Sequence, residues 1–302
     1  MENKNLLLNF LAFFTIVVWG TTFVSTKVLL STFTPAEIMF LRFSIAYIML
    51  LLIHPKFYKI TSLKEEALFL LAGITGGSLY FLTENSALIY SLTSNVALIL
   101  ATAPILTAFM AHFFSKGETL NKNLFIGFII AILGVFLVIF NGNFILKLNP
   151  LGDILALSAA LCWAIYSVTL KKISGTYNYI YVTRKMFFYA LLTILPFILF
   201  SSNNNITLLS LSQPKVIFNL LFLGVIASGV CYVVWNYTVD NLGIIKTNNY
   251  IYLIPAVTMI ASFFILNESI TLYSTFGAIL VLLGVYVSEN GFKLLKFKQS
   301  LH

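Results

Sequence analysis

Charge is what this sequence has least of. Of its 302 residues, 9% are Asp, Glu, Lys or Arg and 60% are hydrophobic. A water-soluble domain carries about 25% charged residues. There is too little charge to cover a water-facing surface, so most of the surface must face lipid. Histidine is as scarce: only His54, His112 and His302. Without a cluster of Asp, Glu and His inside the apolar runs, an integral-membrane enzyme has no acid–base set to work with. His112 has no companion at metal-ligand spacing and reads as a plain polar contact. No phosphate-binding loop or Walker motif is present, which argues against an ATP-driven pump. The two cysteines, Cys162 and Cys231, lie in apolar runs. They suggest no disulfide framework and fit no zinc site, so they read as small packing residues. A sensor or assembly subunit would need a soluble domain or a long tail, and the loops here are short. A net charge of +8 raises the question of nucleic acid, but the basic residues are spread over loop ends and form no stripe along a helix. Neither a nucleic-acid partner nor a cofactor nor a metal is expected.

What the chain has is long apolar runs. A helix crosses the hydrocarbon core with about 20 apolar residues. By that rule about ten spans are expected, near Leu6–Leu30, Ala36–Ile53, Glu66–Tyr90, Ser94–Ser115, Asn123–Phe140, Gly152–Leu170, Tyr181–Phe200, Val216–Asp240, Thr247–Leu266 and Thr271–Phe292. The runs are continuous, without alternation of period two, so helices are expected and not a β-barrel. The first run continues through Trp19 without a small-residue cleavage pattern and reads as a retained membrane helix. With the N-terminus inside, the inner loops collect Lys4, Lys56, Lys59, Lys64, Lys116, Lys122, Lys171, Lys172, Arg184, Lys185, Lys246, Lys293, Lys296 and Lys298. The outer side keeps Lys27, Arg42, Lys147 and Lys215. This bias predicts a multi-pass protein of the plasma membrane with both termini cytoplasmic.

The sequence is also written twice. Trp19, Val24 and Lys27 recur as Trp163, Val168 and Lys171. Arg42 and Tyr47 recur as Arg184 and Tyr189. Gly73, Asn85, Pro104 and Thr107 recur as Gly224, Asn236, Pro255 and Thr258, and Gly127 and Gly134 recur as Gly277 and Gly284. Each copy, 1–145 and 146–302, holds about five spans. An odd number makes the second copy enter the membrane upside down. Inverted repeats are a signature of transporters, with the substrate site near the midplane where the copies meet. Internal duplication makes a monomer sufficient to form such a cavity.

The motifs "VVWGTTFVSTK", "LRFSIAY", "APILTAF" and "GETLNKNLFIGFIIAILGVFLV", with their second-half echoes "LCWAIYSVTLKK", "LIPAVTMIASFFILNESITL" and "GAILVLLGVYV", resemble the drug/metabolite transporter superfamily in its EamA-like branch over essentially the whole chain. The resemblance implies a proton- or gradient-linked carrier, often an exporter of amino acids or related metabolites. A multidrug or organic-cation exporter is the alternative within that class; a membrane enzyme or sensor is the alternative outside it.

Repeated residues read first as scaffold. Glu118 and Glu268 each precede a new helix and suit loop closure and capping. The paired glycines suit close helix approach. Pro104 and Pro255, inside spans four and nine, are expected to kink or hinge a cavity wall. Polar positions that break the symmetry are more informative. Glu84 is matched by Trp235, Lys246 by Asn95, Asn248 by Ala97 and Tyr252 by Ala101. Asn248 and Tyr252 are four apart and are expected on one helix face, as are Trp19, Thr22 and Thr26. The expected cavity residues are Trp19, Thr22, Tyr80, Glu84, Asn85, Asn95, Trp163, Tyr166, Tyr232, Trp235, Asn236, Asn248 and Tyr252. Their aromatic faces suit an amphipathic or cationic substrate. Simpler readings stand beside this one. Thr247 or Asn248 can be a helix cap, Trp19 and Trp163 can be packing, and Arg42 is expected at the outer interface with its stem snorkelling.

The sharpest position is Glu84, in "FLTENSALIY". A carboxylate inside a membrane span is costly unless partnered, which makes it a functional-site candidate: a proton carrier or a contact for a substrate amine. The rival reading is a structural ion pair with Arg42 or Lys27.

Overall fold

The computed structural model describes residues 2–59, 62–90, 96, 99–115, 117–140, 149–173, 175–200, 205–266 and 271–291. Every element it contains is helical. In order they are α1 (Glu2–Leu29), α2 (Pro35–Ile53), α3 (Leu63–Gly73), α4 (Leu79–Tyr90), α5 (Ala103–Phe114), α6 (Lys122–Phe140), α7 (Pro150–Ile173), α8 (Tyr179–Leu199), the single turn α9 (Leu208–Leu211), α10 (Pro214–Leu221), α11 (Cys231–Leu242), α12 (Ile244–Asn249), α13 (Ile254–Leu266) and α14 (Leu272–Asn290). Among the described residues six segments are long and apolar enough to cross a membrane: Lys4–Leu29, Pro35–Ile53, Leu63–Ala87, Pro150–Ile173, Tyr179–Leu199 and Pro214–Leu242. Shorter apolar helices cover Ala103–Phe114, Lys122–Leu137 and Thr275–Ser288. The outward faces are covered with exposed Phe, Leu and Ile, among them Phe113, Leu192 and Phe264, as lipid requires.

Two of the long segments are not uniform α-helices. α3 joins α4 through a π-helical turn at Ile74–Ser78, and α10 joins α11 through a longer one at Phe222–Val230. The repeated pair Gly73 and Gly224 marks both: Gly73 immediately precedes the first turn and Gly224 is the third residue of the second. A Cβ on Gly73 would lie 2.7 Å from the carbonyl oxygen of Met186 in α8, and a Cβ on Gly224 would lie 2.7 Å from the Ile45 side chain in α2. Glycine lets each wide turn press against a neighbouring backbone.

The packing exchanges under a swap of the two halves. α1 packs on α13 while α7 packs on α5; α1 packs on α11 while α7 packs on α4; α2 packs on the second π turn and α8 on the first. α2 packs with α8, and α6 with α14 along most of its length. In that last pair a Cβ on Gly127 would lie 2.6 Å from the Gly284 carbonyl oxygen, and one on Gly134 would lie 2.6 Å from that of Gly277. These glycines are the close-approach residues their spacing suggested.

The prolines act differently from expectation. Pro104 lies in the first turn of α5, where Ile105 and Leu106 donate to the Thr102 carbonyl. Pro255 is the second residue of α13, after a 3-10 segment at Tyr250–Leu253. Neither kinks a continuing helix. Both stand where a new helix starts, the position at which the missing N–H costs nothing.

Candidate substrate site

Nine of the expected residues meet at the centre. α1 supplies Trp19, α4 supplies Tyr80 and Glu84, α7 supplies Trp163 and Tyr166, α11 supplies Tyr232, Trp235 and Asn236, and α12 supplies Asn248. Trp19 stands edge-on to Trp163 at a 5.4 Å centroid distance and packs on Trp235 at 5.0 Å and Tyr232 at 5.3 Å. Tyr80 and Tyr166 close on Trp163 from two further sides at 5.4 and 5.3 Å. Trp19, Trp163, Tyr166, Tyr232 and Trp235 are all buried. The rings pack against one another at the point where α1, α4, α7 and α11 meet.

Side chains from opposite halves, or from distant helices, tie the cluster together. Trp19 Nε1–H donates to the Ala227 carbonyl at 2.9 Å. Trp163 Nε1–H donates to Asn248 Oδ1 at 2.8 Å, and Tyr232 O–H to the Gly76 carbonyl at 3.0 Å. The acceptors Ala227 and Gly76 belong to the two π turns, whose altered winding leaves carbonyls free of the regular ladder. Tyr166 O–H donates to Asn236 Oδ1, and Asn236 Nδ2–H to Thr183 Oγ1, each at 2.8 Å. Trp235 is the exception. It is fully buried, and its Nε1–H has no hydrogen-bond partner among the described residues.

Glu84 is buried, and Tyr80 O–H donates to its Oε1 at 3.1 Å. The ion pair with Arg42 or Lys27 is not formed. Among the described residues the pairs within 4.0 Å are Lys171–Asp240 and Lys185–Glu66. Lys27 is exposed. Arg42 does not snorkel to the outer interface, contrary to the expectation from its place along the span. It is buried, its Nε–H donates to Ser228 Oγ at 2.9 Å, and its guanidinium lies 4.6 Å over the Phe81 ring. The reason is the close packing of α2 on the second π turn, which turns this face of α2 inward. A guanidinium is long enough to use either face, so position along the span alone misplaced it.

Three more expectations change. Asn248 is not a cap: it is fully buried, accepts from Trp163 and donates to the Ile244 carbonyl. Thr247 is also buried and bonds back to the Gly243 carbonyl. Tyr252 lies inside the 3-10 segment that follows Asn249, and its ring packs near Phe128 of α6. Thr22 is half-buried and bonds to its own helix at the Trp19 carbonyl. Asn85 is buried beside Glu84. Asn95 and Glu268 lie outside the described residues. Glu118 does cap a helix: its carboxylate accepts the N–H of Ile244 at the start of α12. The turn before it needs Gly243, whose φ is 95°. His112 makes an exposed hydrogen-bond contact with the Glu118 carbonyl, and its ring packs on Phe113.

One end of the bundle carries most of the charge. Lys171 of α7 meets Asp240 of α11 at 3.3 Å, and Tyr179 O–H of α8 donates to the other carboxylate oxygen at 2.8 Å. Lys185 and Tyr189 of α8 both bond Glu66 of α3. Arg184 donates to the carbonyls of His54 and Lys56 beyond α2. At the opposite end Glu37 accepts from the backbone N–H groups of Thr34 and Asn205. The sequence signal for that capping box was Thr34-Pro35-Ala36-Glu37.

These features define a polytopic helical membrane protein with a closed aromatic and amide centre, of the transporter class. The EamA-like transporter family matches residues 6–140 and 150–289, and the chain belongs to it. An uncharacterized transporter of Archaeoglobus fulgidus is 28% identical over 91% of this chain and 94% of its own length. A probable amino-acid metabolite efflux pump of Escherichia coli is 28% identical over 94% of this chain and 95% of its own. A solved crystal structure with 18% identity superimposes with a TM-score of 0.74, covering 97% of this chain and 98% of that one. That likeness speaks to the fold. The family and the named relatives are transporters, not enzymes.

Proposed function

We propose that this protein is a secondary exporter of amino acids or related amphipathic compounds. In this reading ten spans form two inverted five-helix halves, 1–145 and 146–302, with both termini in the cytoplasm of a plasma-membrane protein. The observation that carries it is the exchange of helix contacts under a swap of halves, centred on buried Trp, Tyr and Asn side chains. Two inverted copies of one structure can trade conformations, which moves the opening from one side to the other. The probable amino-acid metabolite efflux pumps of Escherichia coli and Salmonella typhimurium, each 28% identical, support the substrate class. Glu84, buried and held by one tyrosine, is the candidate proton carrier. Under this orientation the ion pairs Lys171–Asp240 and Lys185–Glu66 close the cytoplasmic end.

An organic-cation exporter is the second reading, favoured by the aromatic faces beside a carboxylate. A growth screen separates the two. Expression should raise tolerance to toxic amino-acid analogues and leave tolerance to lipophilic cations unchanged; the reverse pattern supports the second reading.

A further inference from the structure

The centre contains two buried ionic side chains of opposite sign that do not pair with each other. Arg42 and Glu84 share one aromatic surrounding: Arg42 lies over Phe81, Phe81 packs on Tyr80 at 4.9 Å, and Tyr80 holds Glu84. Among the described residues the two do not come within 4.0 Å of each other. A direct salt bridge would be the cheaper way to bury both groups. Instead each is anchored separately, Arg42 by Ser228 and Glu84 by Tyr80. In the same aromatic cluster, joined to Tyr80 through Trp163, Trp235 keeps a fully buried N–H with no acceptor among the described residues. Such a donor carries a desolvation cost that an incoming oxygen would relieve.

We propose that Arg42 and Glu84 are the two poles of a site for a zwitterion. Arg42, steadied by Ser228, takes the carboxylate, and Glu84, steadied by Tyr80, takes the ammonium. The Trp and Tyr rings accept an apolar side chain, and Trp235 Nε1–H is a further donor for a carboxylate oxygen. The arrangement selects an α-amino acid over a compound with only one of its charges. This rests on the transport reading above and deepens it by assigning the polarity of the site.

The test is binding to the purified full-length protein in detergent, read by quenching of tryptophan fluorescence and by calorimetry. The probes are phenylalanine, phenethylamine (no carboxylate) and 3-phenylpropionate (no amine). The native protein should prefer phenylalanine about tenfold or more over either. Arg42→Gln should abolish the preference over phenethylamine and keep the preference over 3-phenylpropionate; Glu84→Gln should do the opposite. Should Arg42→Gln fail to fold, Ser228→Ala should narrow the phenylalanine to phenethylamine ratio instead. Equal loss for all three probes in a folded variant overturns the assignment, as does a native protein that binds phenethylamine as tightly as phenylalanine. If reconstituted protein carries phenylalanine but Arg42→Gln leaves the ratios unchanged, the polarity is wrong and the transport reading stands. If no probe binds and no amino acid is carried, both are wrong.

Discussion

Consider Asp240→Ala. The Asp240 side chain accepts from Lys171 Nζ at 3.3 Å and from Tyr179 O–H at 2.8 Å, joining α7, α8 and α11 at one end. Lys171 and Asp240 side chains are 30% and 21% exposed, so solvent screens the pair. An exposed ion pair contributes about 0.2–1 kcal/mol, and a hydrogen bond to a charged group about 1.5–3 kcal/mol. Together the loss is about 2 kcal/mol, or roughly 30-fold in an equilibrium that breaks both contacts. The repeat gives the other end no equivalent. The offset that relates Asn85 to Asn236, 236 − 85 = 151, places Ile89 opposite Asp240. If these contacts break when this end opens, Asp240→Ala should favour that opening. Cys231 reports it, being fully buried on α11 close to the aromatic cluster. In a Cys162→Ala background, its labelling by a charged maleimide should accelerate by about that factor, with little change in melting temperature. Unchanged labelling together with a lower melting temperature would refute the reasoning, because the contact would then hold the fold in every state.

The other predictions concern carboxylate, packing and symmetry. Glu84→Gln keeps shape and the Tyr80 contact but removes the charge, so transport should fall at least tenfold while the melting temperature shifts little; with no structural ion pair to break, early melting would contradict the assignment. Gly284→Val would place a Cβ 2.5 Å from the Ala131 nitrogen, forcing α6 and α14 apart at a cost of about 1–3 kcal/mol or more, visible as a lower melting temperature in detergent. Thr258 Oγ1–H donates to the Gly20 carbonyl at 2.9 Å, whereas its repeat mate Thr107, fully buried, has no partner among the described residues. Thr258→Val should therefore lower thermal stability by about 1 kcal/mol, and Thr107→Val should leave it unchanged or raise it; equal losses would contradict the asymmetry.

The apolar runs made the helices legible. Every expected span overlaps an observed helix, and among the described residues six segments are long and apolar enough to cross a membrane, because a stretch of some 20 apolar residues leaves the chain few other ways to satisfy its backbone in lipid. The paired glycines were legible for the same kind of reason, since nothing else fits where two backbones meet. The π turns were not. Their hydrogen-bond shift leaves no periodicity in an all-apolar segment, yet they supply the Ala227 and Gly76 carbonyls that receive Trp19 and Tyr232. The 3-10 segment after Asn249, which holds Tyr252, was hidden likewise. Arg42 failed for a tertiary reason: which face of α2 looks inward depends on Gly224 and the turn that contains it, far away in sequence. Glu84 was legible as a lone carboxylate, but its partner was not, because a tyrosine one turn earlier competes with two cations for it.

The central claim is that this chain moves amino acids through the aromatic centre with Glu84 taking part. Efflux of labelled phenylalanine from proteoliposomes, under an imposed pH gradient, tests it most directly. The account predicts efflux that requires the protein, follows the gradient, and drops to the rate of empty vesicles for Glu84→Gln. Efflux from native-protein vesicles no faster than from empty ones, or a folded Glu84→Gln protein with native rate and gradient dependence, would contradict it.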